Sequence, residues 1–219
     1  GLIVIGDGKR NDIGSTAKAY SVAYLGKTPL PGKEERAFET DMMTVNPYLG
    51  FDGVEPFIED CRTWDKDIFV LVRTSNPSSV DFQDLVSGNQ RIYEAVADKV
   101  NDWGRDLTGD YGFSRVGAVV GATWPDQAVA LRRRMPHTFF LVPGYGAQGG
   151  GADDVLGCFD QRGLGALINA SRSILCAYKG KSGEVHPEGK NFVEVAREET
   201  IRMKKDIENA LLQNGTRPW

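Results

Sequence analysis

The stretch "IVIGDGKRNDIGSTA" (residues 3–17) runs from an unbroken apolar segment, through a D-x-K-x-x-D spacing at Asp7, Lys9 and Asp12, into a helical pattern. An apolar run without alternation reads as a strand buried on both faces, the kind found in a parallel sheet covered by helices. The amphipathic segment at 15–26 follows at once, with Ser15 placed to cap it and Gly26 to stop it. Residues two apart on a strand share a side, so Asp7 and Lys9 project together from the strand end.

The same unit recurs along the chain. Apolar runs at 41–50, 67–78, 115–125, 138–150 and 165–174 alternate with helical patterns at 53–62, 89–106, 126–135 and 152–162, and a long helix at 191–212 closes the chain. In the 89–106 segment Tyr93, Val96, Ala97 and Val100 fall on one face. The "RRR" run at 132–134 reads as a solvated helix face. Residues 27–39 and 178–190 are polar and rich in Gly and Pro, so they read as loops and as the best lid candidates. Six βα units without a break in composition predict a single α/β domain over residues 1–219.

Bulk composition narrows the function classes. The chain has 219 residues, 41% hydrophobic and 26% charged, enough for a substantial core. A net charge of −4 argues against a general nucleic-acid or membrane-surface binder, while leaving room for a local basic pocket. No segment approaches the ~18 apolar residues of a membrane helix. The first residues have neither the basic segment nor the apolar stretch of a signal peptide. Cys61, Cys158 and Cys176 are odd in number and widely spaced, and they form no metal-ligand pattern with His137 or His186. A reduced, cytoplasmic setting fits them, and the sequons at Asn169 and Asn214 then read as chance matches.

The unusual chemistry sits at the strand ends. In order these carry Asp7, Lys9 and Asp12; Asn46; Thr74, Ser75 and Asn76; Thr123; Gln148; and Ser171 with Arg172. In a parallel α/β fold the C-terminal strand ends lie on one face, where sites are built, so six strands converge on one pocket. Taken alone, D-x-K reads more readily as a structural ion pair with a helix-capping Asp. Charges at the end of a buried strand need partners, however, which makes a purely structural use less attractive. A lysine flanked by carboxylates stays protonated and suits a general acid better than a nucleophile. Asn46 and the residues before Pro77 are also ordinary turn formers.

"PGYGAQGG" (143–150) contains a formal G-x-G-x-x-G at Gly144, Gly146 and Gly149. A dinucleotide site needs that motif in a leading βαβ unit with a helix directly after it; here it lies in the fifth unit and runs into more glycine. A loop whose backbone N–H groups approach an anion fits better. Arg172, at the next strand end, supplies a planar fork suited to phosphate.

With D-x-K-x-x-D, "RTSNPS", "PGYGAQGG" and "SR" in this order, the chain resembles the orotidine 5′-phosphate decarboxylase family, and most of all its longer bacterial subgroup, where "VNPYLG" and "GAQG" loops are typical. The resemblance covers essentially the whole chain. It implies a (β/α)8 TIM barrel, a homodimer, and conversion of orotidine 5′-phosphate to UMP and CO2 without metal or organic cofactor. It also implies that Asp7 and Lys9 are central members of the catalytic charge network. Asp12 would be donated across the dimer interface, and Thr16 would make a cross-subunit ribose contact. Ser75 would bind the pyrimidine. Gln148 and Arg172 would bind the phosphate, helped by backbone near Gly146 and Ser171. In the family this D-x-K-x-x-D ends the third strand. The expectation is therefore that the chain supplies about six C-terminal βα units, with the first two, and their ribose-contacting Asp and further catalytic Lys, outside it.

Other readings compete with this one. A sugar-phosphate decarboxylase or aldol-type enzyme of the same superfamily would usually recruit a metal, and no plausible His/Glu set stands at these strand ends. A non-catalytic phosphate-binding barrel would have little use for an intact Asp7, Lys9 and Asp12. An NAD(P) oxidoreductase would have to use "GYGAQG".

Overall fold

The computed structural model describes residues 1–179 and 192–216. In chain order its elements are β1 (Ile5–Arg10), α1 (Gly14–Tyr24), the hairpin β2 (Thr28–Leu30) and β3 (Lys33–Glu35), β4 (Met42–Val45), α2 (Glu55–Trp64) and β5 (Asp67–Arg73). Then come α3 (Val80–Gln83), the hairpin β6 (Val86–Ser87) and β7 (Gln90–Arg91), α4 (Ile92–Trp103), β8 (Ser114–Val120), α5 (Pro125–Arg134) and β9 (Thr138–Val142). A 3-10 segment at Asp153–Cys158, β10 (Ala166–Ile168), α6 (Ser171–Leu175) and α7 (Phe192–Gln213) complete the chain.

Six strands form one curled sheet in the order β1-β4-β5-β8-β9-β10, and every neighbouring pair is parallel. This makes part of a (β/α)8 barrel, with β1 and β10 as its two edges. The two-residue period of the strands sorts side chains to the two faces. On β5, Ile68, Val70 and Val72 enter the main core under the helices, where they meet Phe57, Ala97, Val100 and Leu131. Phe69 points the other way, into a small inner cluster with Val119 and Leu141, against which Ile5, Met42, Leu71 and Phe139 pack. Gly117 keeps the inner face open, since a Cβ there would lie 2.6 Å from the Phe69 ring and 2.8 Å from the Phe139 carbonyl. The face read from 89–106 is confirmed: Tyr93, Ala97 and Val100 are buried and Val96 packs partly against them.

Several local expectations change. Ser15 is not the cap of α1, because the N-cap is Ile13 and makes no side-chain bond there. Residues 27–39 hold the β2–β3 hairpin rather than an unstructured loop. The 165–174 run is a strand only to Ile168, and Ser171–Leu175 is helical. The arginine run is not uniformly solvated. Arg132 is buried and donates to the carbonyls of Cys158, Met135, Thr138 and Gly165, and burial lowers its pKa to about 10. Arg134 bonds Asp98 across the gap from α5 to α4. Of the 178–190 segment, residues 180–190, His186 among them, lie outside the described residues. No helix among the described residues is long and apolar enough to cross a membrane.

Candidate active site

At the C-terminal ends of the strands lies a cleft of about 690 Å³. Its wall is built by the same alternation that sorts the core. Ile5, Asp7 and Lys9 follow one another on the inner face of β1, and Thr44 follows Met42 on β4. Inner positions are apolar deep in the sheet and turn polar at its rim.

Lys9 Nζ lies 2.6 Å from Asp7 Oδ1, with both side chains half exposed to the cleft. Thr44 is fully buried. Its hydroxyl donates to Asp7 Oδ1 at 2.9 Å and accepts the Lys9 backbone N–H at 2.9 Å. One hydroxyl on the neighbouring strand thus ties the carboxylate to the lysine's own backbone. Lys9 also has φ +45°, in the left-handed region that L side chains seldom occupy. Such a conformation costs about 1–2 kcal/mol and persists where the surroundings enforce it, commonly at functional sites. The ladder of β1 is irregular at this point, between Gly6 and Arg10.

Across the cleft, Ser75 Oγ donates to Gln148 Oε1 at 2.9 Å, joining the loop after β5 to the glycine loop after β9. Arg172, in the first turn of α6, completes that end of the lining. The glycine loop is held largely by itself. Gly146 N–H donates to the Gly150 carbonyl, Gly149 N–H to Gly146, and Gly150 N–H to Gly144. The Ala147 N–H goes to Ser173 Oγ and the Gly151 N–H to Asp154. These donors are bonded within the fold, which sets the shape of the loop. Gly146 itself is required, with φ +75° and a Cβ position only 2.3 Å from Ser173 Oγ.

Asp7, Lys9, Ser75, Gln148 and Arg172 accordingly share one cleft. Asp12 and Thr16 do not line it: Asp12 accepts the N–H of Ile13, and Thr16 is exposed on α1. Asn46 is a turn residue whose Oδ1 accepts the Tyr48 N–H. Thr123 supports the site from behind by donating to the Ser75 carbonyl. Sequence reasoning missed Thr44, hidden in an apolar run, and Tyr145. The Tyr145 phenol bonds Asp206 of α7 and is pushed up to about 12, first by burial and then by that bond. Asn169 was also missed; it lines the cleft with an Oδ1 that is buried and has no partner among the described residues. No cluster of three or more His, Cys, Asp or Glu side chains among the described residues is arranged to hold a metal ion.

A parallel sheet curled into part of a barrel, with a charge pair and a glycine loop at its C-terminal rim, has the architecture of the (β/α)8 class, whose sites are built at that rim. The model of the orotidine 5′-phosphate decarboxylase / HUMPS family matches residues 1–183, and the chain belongs to that family. It is 55% identical over 178 residues to an orotidine 5′-phosphate decarboxylase of Caldicellulosiruptor bescii, covering 81% of this chain and 58% of that protein. Against the Rhodopirellula baltica protein of the same name it is 47% identical over 207 residues, covering 94% of this chain and 68% of the relative. The Leishmania donovani OMP decarboxylase structure superposes with a TM-score of 0.67 at 32% identity, over 91% of this chain and 68% of that one. The chain thus spans less than two thirds of the first of these relatives.

Proposed function

We propose that the protein carrying this chain decarboxylates orotidine 5′-phosphate to UMP and CO2, the last step of pyrimidine nucleotide synthesis. The observation that carries this reading is the Asp7–Lys9 pair, tied by Thr44, in the same cleft as Ser75, Gln148 and Arg172. The names of the relatives support it.

Loss of CO2 leaves an electron pair on a ring carbon. The Lys9 ammonium, fixed beside that carbon, stabilises the developing charge and then delivers its proton there. Asp7 pairs with the ammonium and stands near the departing carboxylate. Two like charges ~4 Å apart at an effective dielectric of ~20 repel by about 4 kcal/mol, a cost relieved as CO2 leaves. Ser75 would read the pyrimidine, and Gln148 and Arg172 the phosphate. Binding energy from the phosphate, remote from the breaking bond, helps order the site.

The same proposal makes residues 1–219 a single domain contributing the C-terminal βα units of the barrel. It also makes the protein a homodimer in which Asp12 and Thr16 complete the partner's cleft. Asp12 and Thr16 lie outside their own cleft, and Ile13, Tyr48, Leu49 and Phe51 in the neighbouring segments are exposed apolar side chains. The free thiols of Cys61, Cys158 and Cys176 suit the cytoplasm.

The test is loss of orotidine 5′-phosphate absorbance with the full-length protein, with and without a chelator. Turnover that survives chelation is expected. An inert protein, or one that instead needs a divalent metal to act on a sugar phosphate, overturns the reading in favour of an aldol-type relative.

A further inference from the structure

The loop that carries Ser75 owes its shape to side chains rather than to the sheet. The ladder of β5 ends at Arg73, whose carbonyl still accepts the Gly121 N–H at 2.7 Å. From Thr74 onward the backbone has left the sheet and needs other partners. Gln83, the last residue of α3, provides two of them: its Oε1 accepts the Thr74 N–H at 3.0 Å and its Nε2 donates to Thr74 Oγ1 at 2.8 Å. The Thr74 carbonyl accepts from Trp124 Nε1 at 2.9 Å, and Thr74 Oγ1 donates to Asn76 Oδ1 at 2.7 Å. Every polar group of Thr74 is thereby held by a side chain.

Gln83 is held in turn. Arg73 is fully buried and donates from Nη1 to Gln83 Oε1 at 3.3 Å and from Nη2 to Asp84 Oδ2 at 3.1 Å. Its guanidinium stacks 4.0 Å from the Trp124 ring centroid, so both clamps on Thr74 rest on one cation. On the far side of the loop, a Cβ at Gly121 would come within 2.7 Å of Ser75 Cα. The loop has no room to relax toward the sheet.

We propose that Gln83, set by Arg73, is a positioning residue that fixes Ser75 and so controls recognition of the base half of the ligand, but not of the phosphate half. The inference rests on the function proposed above. A site that must distinguish one nucleobase needs its reading hydroxyl fixed before the ligand arrives. Gln83 touches no cleft surface itself and acts only through the loop.

The experiment is a double-mutant cycle in the full-length protein with Ser75→Ala, Gln83→Met and both, reading kcat/KM for orotidine 5′-phosphate. Binding of UMP and of ribose 5-phosphate to each variant is measured alongside. Gln83→Met keeps the side-chain volume and removes both bonds to Thr74. It should lower kcat/KM by about tenfold or more. The double variant should lie within about threefold of Ser75→Ala, because the two changes remove the same interaction. UMP binding should weaken while ribose 5-phosphate binding is kept. Losses that multiply in the double variant, or equal weakening of UMP and ribose 5-phosphate, overturn the positioning role alone. A Ser75→Ala variant with unchanged kcat/KM overturns it together with the assignment of Ser75. Gln83→Glu, which keeps the acceptor for Thr74 N–H and Arg73, serves the same cycle if the methionine variant does not fold, and should fall between wild type and Gln83→Met.

Discussion

Lys9 shows at the scale of one residue how function and stability separate. Its side chain forms a half-exposed pair with Asp7, which contributes little to folding. Its backbone is held at φ +45°, which any L residue resists. Lys9→Ala should therefore fold about as well as wild type and lose nearly all turnover. Lys9→Gly should be equally inactive yet roughly 1 kcal/mol more stable than Lys9→Ala, because glycine adopts that φ without strain. Urea denaturation of the two variants checks this, and equal midpoints would mean that the strain is not there. Asp7 and Lys9 were legible in the sequence because charge at the end of an apolar strand is conspicuous. Thr44 was not: inside "MMTV" it passes for a β-branched strand former, and only the pairing of β1 with β4 brings its hydroxyl to Asp7. Asp12 and Thr16 were named through family resemblance, and the cleft of a single chain gives them no place.

Among the elements, strands and helices were readable because apolar runs and helical periodicity are local signals. What failed had a non-local cause. "RRR" reads as a wet surface, but Arg132 is buried by a cage of carbonyls drawn from the 3-10 segment, the ends of α5 and β9, and the turn before β10. The link between the glycine loop and α7 was equally invisible, since Tyr145 and Asp206 are 61 residues apart. That link has a pH signature. The Tyr145 pKa rises from an ordinary 10.0 to about 12, mainly through burial. The folded state then holds the phenolic proton more tightly than the unfolded chain does. The stabilisation is complete below pH ~10 and disappears as pH rises to ~12. Wild type should accordingly lose stability relative to Tyr145→Phe, which has no phenol to ionise, across that window alone. Denaturation midpoints that run parallel from pH 9 to 12 would show that the phenol carries no such linkage.

For the molecule as a whole, the proposed homodimer turns on a site shared between two copies. Among the described residues β1 and β10 are the outer strands of the six-stranded sheet, and the inner cluster of Phe69, Val119 and Leu141 is small. Edges of this kind are normally paired or covered, as they are when a barrel closes. The D-x-K-x-x-D motif is divided in the same spirit: Asp7 and Lys9 face the cleft while Asp12 turns into the segment beside exposed Ile13 and Leu49. If two copies meet through that surface about a two-fold axis, each cleft takes Asp7 and Lys9 from one subunit and Asp12 from the other. Lys9→Ala and Asp12→Ala homodimers would then each be nearly inactive, for different reasons. Mixed and allowed to exchange in equal amounts, half of the dimers become heterodimers. In each of these, one cleft has lost both residues and the other has both intact. Activity should recover to about a quarter of the wild-type value per site, by the statistics of a symmetric dimer. Were Asp12 to serve its own subunit, each cleft of the heterodimer would still lack one residue, and mixing would restore nothing.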